Sequence, residues 1–162
     1  MKGEVNFSEK ELKQFCQEND ISLLIFFGSA ARGQISKNSD LDIAISFSDD
    51  DELDGNKPLY EVLAPLEAEL AKIFTVPGIE GMLKIDLVLI DRAPPLLKYN
   101  IAQKGELFYE AEPGLYADFA VRAMKEHNDA RKFYRFAEKN IENFLRSREN
   151  NDGKKVSPPK TQ

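Results

Sequence analysis

The stretch from Leu23 to Ser46, LLIFFGSAARGQISKNSDLDIAIS, constrains this chain more than any other. An apolar run, Leu23 to Phe27, stops at Gly28–Ser29. Ten residues then intervene before Asp40, and Asp42 follows after a single leucine. From Leu41 the apolar residues alternate, as they do in a half-buried strand. The pattern is strand, glycine-serine turn, short polar connection, and a second strand that opens with two carboxylates. Alternation sends Asp40 and Asp42 to one face and Leu41, Ile43 and Ile45 to the other. Two ionised carboxylates about 4 Å apart repel by about 4 kcal/mol at an effective dielectric of about 20. A fold keeps such a pair when one acid is protonated or a cation lies between them. Mg²⁺ suits that place because it takes one or two carboxylates together with substrate phosphates. Gly28 lets the backbone turn sharply and approach a phosphate, and the Ser29 hydroxyl with the following amides would face its oxygens.

A third acid lies in MLKIDLVLID, where Asp86 stands among apolar residues. A charge inside a buried strand is costly unless paired or metal-bound. If this strand lies beside the one that follows Asp40, the three acids make a phosphoryl-transfer site holding one or two metal ions. The bland alternative is an acid at a strand end, paired to Lys84 or Arg92.

GSAARGQISKNSDLD resembles the GS-x10-DxD motif of the DNA-polymerase-β-like nucleotidyltransferase superfamily. The short chain, ARG after Gly-Ser and the later KIDLVLI are similar to its minimal nucleotidyltransferases, many of them antitoxins paired with HEPN-domain ribonuclease toxins. The resemblance covers roughly residues 20–110. It implies Mg²⁺-dependent transfer of a nucleotide, usually AMP from ATP, to a hydroxyl. By that resemblance Ser29, with Gly28, holds phosphate, Asp40 and Asp42 bind metal, and Asp86 is a metal ligand or general base. Arg32 becomes a phosphate contact.

With 162 residues and 42% apolar content, one domain with one modest core is expected. The net charge of −6 argues against broad nucleic-acid binding. A single cysteine excludes an internal disulfide. Cys16 sits in an amphipathic stretch and reads as a small buried hydrophobe. No apolar run approaches the ~20 residues of a membrane span and no signal peptide is visible, so a soluble, cytoplasmic protein is expected. Motifs for a P-loop, a dinucleotide fold, a zincin or a Cys-x-x-Cys pair are missing.

Along the chain, Ser8 and Glu11 form a capping-box pattern before a helix carrying Leu12, Phe15 and Cys16. ISLLIFF is the first strand, and 30–39 a short helical turn with a polar loop. The second strand runs from about Leu41 to Phe47. The acidic segment 48–57 reads as a solvated loop. Leu59, Leu63, Leu66, Leu70 and Ile73 recur at helical spacing, with Pro65 implying a kink or a later start. Pro94–Pro95 opens a helix that ends at Gly105, and ELFYE is a short edge strand. From Gly114 an apolar stripe (Phe119, Ala123, His127, Ala130, Tyr134, Ala137, Ile141, Leu145) recurs at three and four residues. A helix over 114–146 would be about 50 Å long, too long for one small domain to cover. Either it bends back across the sheet or its distal half docks on another chain.

The expected fold class is therefore α/β (α+β): a small mixed sheet with helices packed on it and a long C-terminal helix. The expected division is a nucleotidyltransferase domain over 1–112, a helical arm over 113–146 and a disordered tail over 147–162. Only one helical arm follows the sheet, which favours a protein acceptor, and the resemblance to the antitoxin branch implies a HEPN-domain toxin as that partner. Two alternatives stay open. One is a small-molecule nucleotidyltransferase that closes its site as a homo-oligomer; the other is a non-catalytic antitoxin that only covers its toxin.

Overall fold

The structure is a computed structural model that describes residues 5–33, 35, 40–49 and 57–152. Most of the expected polar connection (34 and 36–39), most of the acidic segment (50–56) and the last part of the tail (153–162) lie outside the described residues.

The first helix, α1 (Glu9–Glu18), starts where Ser8 Oγ accepts the Glu11 N–H, and turns Leu12, Phe15 and Cys16 inward. Strand β1 (Ile21–Phe27) runs straight into a single helical turn, α2 (Gly28–Ala31). Strand β2 (Leu41–Phe47) follows, then α3 (Leu59–Ile73), β3 (Ile85–Leu89) and a 3-10 turn over Ile90–Arg92. Helix α4 (Pro95–Lys104), edge strand β4 (Glu106–Glu110) and α5 (Leu115–Asp152) complete the chain. α3 passes through Pro65 rather than starting after it: Leu63, Leu66, Leu70 and Ala71 on both sides of the proline pack into one core, so packing outweighs the missing backbone donor.

The four strands form one mixed sheet in the order β3-β2-β1-β4. β1 is antiparallel to both β2 and β4, whereas β2 and β3 are parallel. Their side chains divide the core in two. Leu24, Phe26, Leu41, Ile43, Ile45, Leu87 and Leu89 pack against α1 and α3, where Phe26 stacks on Phe108 and meets Phe74 edge-on. On the opposite face Leu23, Ile25 and Ala44 pack with Ile101 of α4 and Phe119 and Ala123 of α5. Gly105, between α4 and β4, is a close-approach point: a Cβ there would run into Ile25 and the backbone of Ile101. β3 is an edge strand, and its Leu87 N–H is satisfied by Glu67 Oε1 of α3 at 3.2 Å.

α5 spans 38 residues, about 57 Å at ~1.5 Å per residue. Its first turns lie on the sheet, and His127 stacks on Tyr99 of α4 with ring centroids 4.2 Å apart. Beyond that the same stripe continues into solvent: Tyr134 and Ile141 are 65% and 58% exposed, and Leu145 is exposed too, with Phe133, Phe136 and Phe144 exposed off the stripe. The helix continues past the expected end at residue 146 and through the first part of the expected disordered tail, to Asp152. SRENND holds no glycine or proline to stop it, whereas Gly153 comes directly after its last residue.

Candidate active site

The C-terminal end of β1 and the N-terminal ends of β2 and β3 meet at one edge of the sheet, because β1 runs opposite to the other two. That polarity brings the separated motif residues together. Phe27 is the register partner of Asp42, and Asp42 in turn faces Asp86 directly across the parallel pair. Asp42 therefore lies between the Gly-Ser turn on one side and Asp86 on the other. Asp40 sits one residue ahead of β2.

Gly28 is fitted to this arrangement twice over. Its φ of +68° is a conformation that side chains disfavour. A Cβ at that position would also collide with the Asp42 carboxylate, whose Cγ would be only 3.1 Å away. The turn thus runs its bare backbone against a catalytic-type acid. Ser29 is half-buried in the following turn, and its carbonyl accepts the Arg32 N–H at 3.2 Å.

Asp42 is half-buried on the face that also carries Ala44, and burial pushes its carboxyl above the ordinary carboxylate range, helped by the charges of Asp86 and Asp40. Asp86 is different from expectation. It is exposed rather than held in a buried strand, at the start of a strand that lies at the edge of the sheet. Nor does it pair with Lys84. That lysine instead donates from Nζ to Asp40 Oδ2 at 2.7 Å, and the bond raises its own pKa.

The three acids hold adjacent register positions, yet among the described residues no three His, Cys, Asp or Glu side chains close into a ready-made metal cage. The donor set is nevertheless all oxygen, as a hard cation such as Mg²⁺ requires. A cation already sits on one member in the form of the Lys84 ammonium. A Cβ on Gly28 would fall on the Asp42 carboxylate, so the bare backbone is what lets that acid sit against the turn. The residues fit a Mg²⁺ site that incoming phosphates help to complete.

Arg32 is exposed and lies apart from these acids in the contacts it makes. It lines a cavity of about 790 Å³ on the α1 side of the sheet, together with Phe7, Lys13, Phe26, Glu106 and Phe108. From the sequence Lys84 is a candidate ion-pair partner of Asp86, and its pairing with Asp40 is what went unread. The signal was available: Lys84 stands two residues before Asp86, hence on the same face, in the mirror image of the spacing between Asp40 and Asp42. One other group is chemically quiet. The Cys16 thiol is buried and pushed up to about 12, so it is no nucleophile at neutral pH. Among the described residues no helix is long and apolar enough to cross a membrane.

Comparison with known proteins agrees with this geometry. The family described as Polymerase beta, Nucleotidyltransferase matches residues 10–113. The chain is 34% identical over 132 residues to Protein adenylyltransferase MntA of Aphanizomenon flos-aquae (strain 2012/KM1/D3), which covers 77% of this chain and 81% of that protein. Among solved structures it superposes on a toxin-antitoxin complex crystallised with AMP-PNP at a TM-score of 0.60 and 20% identity, covering 83% of this chain and 98% of the other. A complex of tri-AMPylated Shewanella oneidensis HEPN toxin with MNT antitoxin gives a TM-score of 0.54 at 17% identity, over 82% and 94% of the two chains. These structural likenesses show the fold, a mixed sheet with a long C-terminal helix, and the family match and the MntA relative show the enzyme class. The chain belongs to the polymerase-β-type nucleotidyltransferase family and is a nucleotidyltransferase.

Proposed function

We propose that this chain transfers AMP from ATP to a hydroxyl on a HEPN-type ribonuclease toxin, and that it neutralises the toxin in doing so. The observation that carries the reading is the placement of Asp42 between the Gly28 backbone and its register partner Asp86. That geometry sets a bare backbone turn against a pair of carboxylates. The relative MntA, a protein adenylyltransferase by name, supports AMP as the group and protein as the acceptor. The HEPN toxin in the complex with MNT antitoxin supports the kind of partner.

In this reading Ser29 and the amides after it hold the terminal phosphates of ATP. Asp40 and Asp42 would hold Mg²⁺, which supplies neutralisation of the charge that builds up on the α-phosphoryl group. Asp86, exposed at the mouth of the site, accepts the proton of the attacking hydroxyl or completes a second metal position. The hydroxyl oxygen bonds to the α-phosphorus, the bond from that phosphorus to the oxygen bridging to the β-phosphate breaks, and pyrophosphate leaves. Positioning and electrostatics carry most of the catalysis, since the protein forms no covalent bond itself. Arg32, facing the cavity on the α1 side, is assigned to the outer part of the triphosphate or to the acceptor.

The arm gives the acceptor its foothold. An apolar stripe that continues from the core into solvent over Tyr134, Ile141 and Leu145 suits a protein surface better than a small molecule. The test is label transfer from ATP tagged on its α-phosphate, using a purified HEPN protein encoded beside this chain. Label on that protein with wild type, absent with an Asp40→Ala, Asp42→Ala variant, supports the reading. Label confined to small molecules would move it to a small-molecule transferase.

A further inference from the structure

Lys84 occupies a place in the site that its exposure alone would not suggest. Its carbonyl accepts the Leu41 N–H at 2.8 Å, which fixes its backbone beside the residue between Asp40 and Asp42. The register Leu41 with Ile85 and Asp42 with Asp86, extended by one residue, sets Lys84 opposite Asp40. The four side chains thus form a square on one face: Asp40 and Asp42 on one strand, Lys84 and Asp86 on the other. The ammonium contacts Asp40 at 2.7 Å, while the Lys84 side chain is otherwise 77% exposed. It is held by that one carboxylate and by nothing else among the described contacts.

An ammonium has three donors and no acceptor, so it cannot share a carboxylate comfortably with a divalent cation. Its stem is long and flexible, and a phosphate oxygen is a natural second partner for it. Resting on the nucleotidyl-transfer reading above, we propose that Lys84 is the resident counter-cation of this site, occupying Asp40 until metal and nucleotide arrive together and then passing to a phosphate oxygen of the triphosphate. Two consequences of opposite sign follow. Lys84 opposes the binding of a divalent ion alone, because the ion must displace it. It favours the binding of the ion with nucleotide, because the displaced ammonium gains a phosphate. The site is thereby biased against holding bare metal and toward the metal–nucleotide complex.

Mn²⁺ binding to the full chain, followed by electron paramagnetic resonance, tests this directly. The probes are Mn²⁺ alone and Mn²⁺ with an ATP analogue whose α–β bridge is a methylene group. Lys84→Met is expected to tighten binding of Mn²⁺ alone about fivefold and to weaken that of the Mn²⁺–analogue pair by a similar factor. Lys84→Arg, which keeps the charge, should stay near wild type in both. Unchanged or weaker binding of Mn²⁺ alone by Lys84→Met overturns the proposal, and so does a change of the same sign in both conditions. Asp42→Asn separates the two levels. If it loses Mn²⁺–analogue binding while Lys84→Met matches wild type, only the role of Lys84 falls. If Asp42→Asn binds the pair as wild type does, the transfer reading falls and Lys84 with it.

Discussion

Asp42 is the residue on which the proposed chemistry and the stability of this protein pull in opposite directions. Burial and two neighbouring carboxylates raise its pKa, so the native state binds its proton more tightly than the unfolded chain does. Between the ordinary Asp value near 3.9 and the raised native value, folding takes up a proton, and stability falls as pH rises through that window. Above it the full cost stays. Asp42→Asn removes the cost: it should abolish transfer while holding or slightly raising stability, by no more than about 1 kcal/mol for a half-exposed group. The gain in melting temperature over wild type should be full at neutral pH and vanish on acidification to about pH 4, as thermal melts across pH would read. A loss of folding in this variant would make Asp42 a structural residue. Gly28→Ala tests the same contact from the other side. With φ at +68° and the Asp42 carboxylate in the way, the methyl group should cost about 1–2 kcal/mol and strip activity together with metal–nucleotide binding.

At the scale of elements, the strands and helices were legible because their signals were local. ISLLIFF, the alternating run after Asp40, and PPLLKYNIAQKG carry their own period and punctuation, and the observed β1, β2 and α4 have the expected bounds. What could not be read was which strand ends share an edge. The pairing of Asp42 with Asp86 depends on β2 and β3 being parallel neighbours, a long-range fact that no window of sequence contains. The expectation of a buried Asp86 failed for the same reason, since period alone does not say that a strand lies at an edge. Lys84 was expected, if paired at all, to pair with nearby Asp86, because its actual partner Asp40 lies 44 residues away. The apolar spine of α3 makes a simpler claim. Leu70 is fully buried between the helix and the sheet, so Leu70→Ala should cost about 2–5 kcal/mol in urea unfolding and weaken activity only by lowering the folded fraction.

The whole molecule divides its charge unevenly. The chain carries a net charge of −6, yet residues 131–148 hold six Lys and Arg against Glu138 and Glu142. That part of α5 bears an apolar stripe and leaves the sheet behind, so its removal spares the core. A chain ending at Ala130 should fold with nearly unchanged stability and still bind metal with nucleotide, but bind the proposed HEPN partner at least tenfold more weakly. Association of the full chain should also weaken as salt rises, since basic side chains flank the stripe. Titration calorimetry of the two forms against the partner would measure both effects. The central claim is a covalent one, and intact-mass measurement of the proposed HEPN partner after co-expression tests it most directly. Wild type should add one or more adenylyl units to the partner, and Asp42→Asn should add none while still co-purifying with it. An unmodified partner beside wild type, held in a stable complex, would contradict the account and leave a protein that neutralises by binding alone.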